Sequence, residues 1–235
     1  MSDPQISVVL PVYNQADHIG GVIDSYRTML EKANLSFELL PIINGKRKDD
    51  SDQICRALSA KHPSIRTFVI DEGGWGRAVR HGLGQARGEV LCFTNSARTT
   101  ADDLLLLLLY GITHPDVVVK ANRRIRESLR RRAGSLLYNL ECRALFDLSA
   151  WDVNGTPKVF SRKFEPLLQL TRDDDLIDLE FNAICRREGY RIIEVPLFST
   201  TRTGGRSTTN YGSAVKMYLG AWQMKRNSSN GSGAP

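Results

Sequence analysis

The sequence predicts an α/β fold in which helices flank a central, mostly parallel sheet. Three observations carry this reading. Short β-branched, apolar runs recur at residues 6–10, 37–43, 65–70, 90–93 and 116–120, lengths that suit buried strands. Longer segments with polar or Gly/Pro boundaries lie between them and suit helices. Strand and helix alternate at the spacing of a doubly wound parallel sheet.

Taken in order, residues 6–10 (ISVVL) form the first strand, with Pro11 expected to end it. A helix capped from within residues 14–17 follows, to about residue 33. The second strand, 37–43, stops at Asn44-Gly45, a turn signal. Asp50 or Ser51 can cap the next helix, which runs through Lys61, and 65–70 is the third strand. The reading centres on residues 73–99, GGWGRAVRHGLGQARGEVLCFTNSART. A Gly-rich turn enters a helical segment at 77–86, Gly88 stops it, and 90–93 is a buried strand. In open parallel sheets ligands bind just beyond the carboxyl ends of the strands, so the residues after Phe93 are the first place to look for a site. Asp102-Asp103 opens a Leu-rich helix whose apolar run, 104–109, is far too short to span a bilayer. A strand at 116–120 completes the alternation.

After Lys120 the pattern changes. A helix is expected at 128–145, a strand at 158–160, and a helix at 176–187 with Asp173, Asp174 and Asp175 at its N-terminus. Residues 190–195 form a strand stopped at Pro196. The Gly/Thr-rich stretch 199–213 is expected to be mobile, and 214–224 to be a last amphipathic helix. Residues 227–235 are Ser/Gly/Asn-rich and expected to be disordered. One domain of residues 1–226 results, with a first half at about 1–120 and a second at about 121–226.

Composition narrows the class. The chain has 235 residues, 41% hydrophobic and 25% charged, as in ordinary soluble globular proteins. The net charge of +6 is uneven: Arg123, Arg124, Arg126, Arg130, Arg131 and Arg132 crowd one segment. Such a cluster suits phosphates, nucleic acid or an anionic membrane surface. Nucleic acid is disfavoured, because neither interleaved aromatics nor a known motif accompanies it. Cys55, Cys92, Cys142 and Cys185 show no CxxC spacing and read as reduced, mostly buried thiols of a cytosolic protein. No signal-peptide pattern opens the chain.

Six segments then fall into one order: ISVVLPVYN at 6–14, Asn44-Gly45, the glycine block at 76–88, WDVNGTPKVF at 151–160, Asp178-x-Glu180, and Glu194-Val195-Pro196. Over about residues 6–207 the chain resembles the family-two inverting glycosyltransferases of the GT-A fold. The branch it resembles is the polyprenyl-phosphate sugar synthases, such as the dolichyl-phosphate mannose or glucose synthases. The resemblance implies a GT-A (Rossmann-like) nucleotide-diphospho-sugar transferase fold. It also implies inverting transfer from a UDP- or GDP-linked sugar to a polyprenyl phosphate at the cytoplasmic membrane face, by a cytoplasmic protein peripheral at the inner membrane. A soluble glycosyltransferase with a small-molecule or glycan acceptor, and an inactive nucleotide-sugar-binding module, stay open.

The same resemblance assigns residues. Pro11, Tyr13 and Gln15 would line the nucleotide base and Asn44 would reach the base or ribose. Gly76, Arg77, Asn95, Ser96 and Ala97 would complete the donor site. Arg98, Arg123, Arg124, Arg202 and Arg206 would meet phosphate, for which the Arg fork is suited. Asp178 and Asp152, with Glu180 behind them, are the candidates for the base that an inverting transfer uses. Each has a plain structural alternative: a strand-ending turn for Tyr13, an Asn-Gly turn for Asn44, solvated charges for the arginines, a helix cap for Asn95. Two departures stand out. The family's metal-holding Asp-x-Asp is here Asn95-Ser96-Ala97, and its Asp-Asp-Gly-Ser is Ile43-Asn44-Gly45-Lys46, followed by Arg47-Lys48. No metal ligand is assigned, since Mg²⁺ or Mn²⁺ would lack its usual carboxylates. Protein cations are expected to neutralise the diphosphate instead.

Overall fold

The computed structural model describes residues 3–124, 129–198 and 211–231. Its strands are β1 (Ile6–Val12), β2 (Phe37–Asn44), β3 (Phe68–Ile70), β4 (Val90–Phe93), β5 (Val118–Arg123), β6 (Lys158–Ser161) and β7 (Ile192–Leu197). They form one sheet in the order β3-β2-β1-β4-β6-β5-β7. Only β6 runs antiparallel to its neighbours, β4 and β5; the other pairings are parallel. The helices are α1 (Ile19–Lys32), α2 (Ser51–Lys61), α3 (Trp75–Gln85), α4 (Ala101–Thr113), α5 (Leu129–Phe146), α6 (Ile177–Arg187) and α7 (Tyr211–Gly231), with a 3₁₀ turn at Glu165–Leu168. The predicted α/β class, with its mostly parallel flanked sheet, is the observed one.

Both faces of the sheet are covered, so its strands are mostly apolar on both sides instead of alternating. Along β1, Ile6, Val8, Leu10 and Val12 join the core under α1 and α4. Val9 points the other way, with Leu91, Phe93, Phe160 and Phe181. Phe181 meets Phe93 and Phe160 edge to face, at centroid distances of 5.6 and 5.5 Å, an arrangement suited to ring quadrupoles. A third cluster joins α5, α6 and α7 through Tyr138, Cys142, Val153, Leu176, Leu179 and Ala221. All four cysteines are buried free thiols. Among the described residues no helix is long and apolar enough to cross a membrane.

Several boundaries differ from expectation. β1 continues through Pro11 to Val12. Thr94 N–H donates to the Val9 carbonyl, so Val9, and Pro11 two residues on, face the β4 side. β4 has already ended at Phe93, and no neighbour there asks Pro11 for an N–H. β7 likewise runs through Pro196 to Leu197. Arg124 N–H donates to the Leu197 carbonyl, so Pro196 faces the open edge of the sheet. The third strand is shorter than predicted, with Ile65 making only an isolated bridge to Leu39. The fifth starts two residues later, at Val118, and runs on to Arg123. The last helix, expected at 214–224, spans Tyr211–Gly231 and takes in the first residues of the stretch expected to be disordered. The rest of that tail, and 199–210 of the expected mobile stretch, lie outside the described residues.

The topology fixes where a site can form. β1 and β4 are neighbours, with β2 and β3 on one side and β6, β5 and β7 on the other. Their carboxyl ends diverge around this switch point, which is where α/β sheets bind ligands. Because β6 is reversed, its first residue, Lys158, pairs with Phe93 at the end of β4. The loop leading into β6 therefore arrives at the same rim.

Close packing of α3 on β1 gives a paired test. A Cβ built on Gly82 would clash with Val9 Cγ1 and lie 2.9 Å from Val9 Cγ2, whereas one on Gly84 meets nothing within 4 Å. Helix propensity favours alanine at both positions. Gly82→Ala is nevertheless expected to lose about 1–3 kcal/mol through overpacking, and Gly84→Ala to gain up to about 1 kcal/mol. Urea denaturation measures both, and equal shifts would refute this packing.

Candidate active site

One side of the rim is built mainly from backbone and neutral side chains. Asn44 Nδ2 donates to the Val12 carbonyl at 2.9 Å and to the Ile42 carbonyl at 3.4 Å, and its Oδ1 accepts from Gly74 N–H at 3.2 Å. Asn44 thus ties β1, β2 and the Gly-rich turn together; its amide serves the fold. Gly45 follows at φ 74°, a conformation that favours glycine. A Cβ there would sit 3.1 Å from both Gly73 Cα and the Tyr13 ring. Tyr13, 40% exposed, is thereby held beside a surface of bare backbone. Gln15 joins the end of β4, accepting from Ser96 Oγ at 2.7 Å, while its own N–H donates to Ser51 Oγ. Asn95 Oδ1 accepts from Ala97 N–H at 3.1 Å and its carbonyl accepts from Arg98 and Thr99 N–H. The turn after β4 is thus held by its own backbone and, through Ser96, by Gln15.

Gly76 and Arg77 lie in the first turn of α3. A Cβ on Gly76 would lie 2.7 Å from the Asp174 carbonyl oxygen and closer still to that of Arg172. The start of α3 is packed under residues 172–174. Arg77 N–H donates to the Asp173 carbonyl, and its guanidinium reaches Asp173 Oδ2 at 2.8 Å while Arg80 takes Oδ1 at 2.5 Å. Partial desolvation raises the Asp173 carboxyl, but the two arginines outweigh it and hold the group below its ordinary range. Arg77 is thus paired with this aspartate, at the start of α3.

The other side of the rim is ionic and buried. Lys120 and Lys158 are fully buried, and Asp152 and Asp178 nearly so. Arg123 forks onto Asp152, Nε to Oδ2 at 2.8 Å and Nη2 to Oδ1 at 2.9 Å, with Arg123 N–H adding a third bond at 3.1 Å. Glu194 on β7 accepts from Trp151 N–H at 2.8 Å, Asp152 N–H at 2.9 Å and Lys120 Nζ at 3.2 Å. Lys120 also donates to the Asp152 carbonyl. Lys158 pairs with Asp178 Oδ1 in the first turn of α6, its ammonium 5.3 Å from the Phe93 ring centroid. Burial pushes Lys158 down to about 8, partly offset by Asp178, while nearby Lys120 pushes the same way. For Arg123, burial opposes the charge, but Asp152 outweighs it and raises the group above its ordinary value.

The three carboxylates expected to act as bases are not equivalent. Glu180 accepts Thr171 N–H and Oγ1 and Arg172 N–H, distances 2.6–3.0 Å. It anchors the 171–172 backbone. Asp152 orients Arg123. Asp178 is met at Oδ1 by Lys158, which leaves Oδ2 outside the pair. Arg124 is exposed at the end of β5, its N–H bonded to Leu197. Arg202 and Arg206 lie outside the described residues. A separate concavity of about 470 Å³, lined by Ser149, Asn182, Arg186 and Tyr190 among others, opens at the amino ends of β5 and β7, away from this rim.

A divalent cation does not fit the turn after β4. Ala97 offers no side-chain donor, Ser96 Oγ is buried and bonded to Gln15, and Asn95 Oδ1 is held by Ala97 N–H. Hard cations call for several oxygen ligands, carboxylates foremost. Among the described residues no group of three or more His, Cys, Asp or Glu side chains could hold a metal.

Lys120, Lys158 and Glu194 were not singled out as site residues from sequence. Their signal was a charged residue in or at the end of an apolar run (DVVVK, KVF, IIEV), where an unpaired charge would be very costly.

The model of the family "Glycosyl transferase family 2" matches residues 7–172. A dolichyl-phosphate beta-glucosyltransferase of Drosophila melanogaster is 28% identical over 104 residues, 41% of this chain and 32% of the relative. An undecaprenyl-phosphate 4-deoxy-4-formamido-L-arabinose transferase of Pseudomonas syringae pv. syringae is 27% identical over 139 residues, 57% of this chain and 41% of the relative. The chain therefore matches less than half the length of either curated relative. Among solved structures, glucosyl-3-phosphoglycerate synthase from Mycobacterium tuberculosis, in complex with Mn²⁺, UDP and glucosyl-3-phosphoglycerate, superposes with a TM-score of 0.73. It is 19% identical and covers 94% of this chain and 80% of that one, a likeness of fold.

The Lys158–Asp178 pair predicts a pH dependence. Lys158 falls from 10.5 to about 8 on folding, so between these values the unfolded chain binds more protons and stability rises with pH. Relative to Lys158→Met/Asp178→Leu, which lacks the titrating lysine, the native chain should gain on the order of 3 kcal/mol across that window. Urea unfolding of both chains from neutral pH upward measures the difference. A difference that stays flat or falls with pH would refute the buried, depressed lysine.

Proposed function

The chain belongs to glycosyl transferase family 2, and from that premise we propose that it transfers a sugar, with inversion, from a UDP- or GDP-linked donor to a polyprenyl phosphate at the cytoplasmic membrane face. The observation that carries this reading is the meeting of two surfaces at the carboxyl ends of the strands. Tyr13 beside Gly45 and Gly73 offers an aromatic face and close backbone for a nucleotide. Across the end of β4, Lys158–Asp178 and Arg123–Asp152 offer an ordered set of charges for the reacting groups.

In this reading an acceptor oxygen attacks the anomeric carbon while the bond from that carbon to the diphosphate breaks. The bonding pair leaves with the diphosphate, whose growing charge needs offsetting. Asp178 takes or orients the acceptor proton through Oδ2, with Lys158 fixing its other oxygen. A phosphate acceptor is largely ionised near neutral pH, so positioning dominates over proton removal. Arg98 and Arg124, with Arg202 and Arg206, are the cations proposed for the two phosphate groups, and Arg123 joins them under the hold of Asp152. Since the turn after β4 does not suit a cation, no step passes through a metal. The phosphate-bearing acceptors in the relatives' names, dolichyl phosphate and undecaprenyl phosphate, support a phosphate-bearing acceptor here. The phosphoglycerate product of the structural neighbour favours a small soluble phosphate ester as the second reading. The internal bonding of Asp152 and Glu180 favours a third, an inactive nucleotide-sugar-binding module.

Two outcomes are expected. Calorimetric titration with UDP and GDP should give the same affinity in chelator as in millimolar Mn²⁺ for the preferred nucleotide. A large loss in chelator would refute the metal-free donor site, and binding of neither nucleotide would refute the donor assignment. Asp178→Asn should keep nucleotide affinity and lower turnover with a polyprenyl phosphate by roughly two to four orders of magnitude, the size of a base effect. Near-native turnover would remove Asp178 from its role and leave Asp152 as the candidate.

A further inference from the structure

Helices α5 and α7 pack together beyond the edge of the sheet. Their inward sides meet through Tyr138, Cys142 and Ala221, with Tyr138 and Tyr218 edge to face at 5.6 Å and Tyr218 Oη donating to the Gly134 carbonyl. Their outward sides are unusual for a polar surface. Leu136, Leu137 and Leu140 on α5, and Leu219 and Trp222 on α7, are each between 50% and 62% exposed. At about 100° per residue, the three leucines of α5 share one stripe opposite its packed side. The Trp222 side chain hydrogen-bonds that of Glu141, which links the stripes of the two helices into one patch.

The charges that these two helices carry are predominantly basic. Helix α7, 21 residues long, contains Lys216, Lys225 and Arg226 and no acidic residue. Helix α5 contains Arg130, Arg131, Arg132 and Arg143 against a single acid, Glu141, itself tied to Trp222. Lys216, Lys225 and Arg226 are exposed. A second copy docked face to face would bring these cations against one another, a costly arrangement. Apolar Leu and Trp side chains interspersed with Lys and Arg are what an anionic bilayer surface takes up. The patch also adjoins the site: the Arg143 guanidinium lies 3.9 Å from the ring centroid of exposed Trp151, one residue from Asp152.

We propose that the outward face of α5 and α7 is a membrane-docking surface. Leu136, Leu137, Leu140, Leu219 and Trp222 enter the boundary between headgroups and acyl chains, and the flanking cations meet anionic lipid headgroups. Docking on this face presents the Trp151–Asp152 loop toward the bilayer. The inference shares a membrane location with the proposed function but rests on this face alone, since lipid binding needs neither donor nor acceptor.

Vesicle flotation tests it without any sugar nucleotide. The full chain should float with phosphatidylcholine vesicles containing about 30% phosphatidylglycerol, remain behind with phosphatidylcholine alone, and lose binding as salt rises. Trp222 fluorescence should shift to the blue on binding. Leu137→Ser/Trp222→Ser and, independently, Leu136→Ser/Leu140→Ser should each reduce partitioning by about tenfold or more, with unchanged circular dichroism and nucleotide affinity. Failure of the native chain to float, or native-like flotation of both variants, overturns the proposal. So does a native dimer in sedimentation analysis that the variants abolish while flotation persists, which would make the face an interface between copies. Flotation without nucleotide binding would refute the transferase reading and leave the docking surface standing.

Discussion

Six paired charges, four of them buried, gather at the rim where β4 ends and β6 begins, and they constrain everything around them. Lys120, Arg123 and Lys158 face Asp152, Asp178 and Glu194. Charges removed from water persist only when paired and hydrogen-bonded. Loss of one partner from such a set typically costs about 3–5 kcal/mol, although an apolar replacement of the whole set can be neutral. The network therefore argues for geometry more than for stability. Glu194 receives the N–H groups of Trp151 and Asp152, as a neighbouring strand would. An irregular loop can then lie against the sheet edge with its backbone satisfied. Through these bonds β5, β6, β7, α6 and the loop before β6 take one relative arrangement.

The two sides of the rim solve the same problem with different chemistry. On the β1–β2 side, Asn44 and Gln15 bridge chain ends with neutral bonds, and Gly45 and Gly73 keep backbone bare beside Tyr13. A flat aromatic ligand needs such surface, and fixed charges there would go undersolvated beneath it. On the β5–β7 side the charges are paired internally, so the local field is set by small displacements of carboxylates and cations rather than by net charge. The turn after β4 lies between them and uses its own side chains to hold its shape. Arg77 and Arg80 belong to neither side. With Asp173 they fasten the segment before α6 to α3, and so help set where Asp178 begins its helix.

The strands and the rim were legible in the sequence because both follow from local pattern. Apolar runs, turn glycines and alternation gave five of the parallel elements near their observed places, and the residues after Phe93 do lie at the switch point. What escaped the sequence depended on distant partners. Pro11 and Pro196 looked like strand ends, yet each sits in a strand at a position whose N–H has no neighbour to serve. That depends on where β4 stops and on β7 being an edge, neither of which is local. The partner of Arg77, Asp173, lies 96 residues away. That Glu180 closes on Thr171 and Arg172 is likewise set by the fold. Lys120 and Glu194 are 74 residues apart and make sense only as a pair.

The packed cluster beyond the sheet joins the site to the outward face of α5 and α7. Val153, next to Asp152, and Leu176 and Leu179, on either side of Asp178, share one apolar cluster with Tyr138, Cys142 and Ala221. Leu176 also presses on Gly220, where an added Cβ would collide with its side chain. Interiors this close to crystal-like density transmit displacement rather than absorb it. A substitution inside the cluster would therefore disturb the helices and the two carboxylates together, and its effects on lipid and on catalysis could not be separated. The outward residues lie outside that cluster, and of them Trp222 also bonds Glu141. Leu136, Leu137, Leu140, Leu219 and Trp222 point away from the cluster, so polar residues there remove apolar surface while Val153, Leu176 and Leu179 stay packed. In this architecture only outward positions can report on the surface alone, and only the charged pairs of the rim can report on the site.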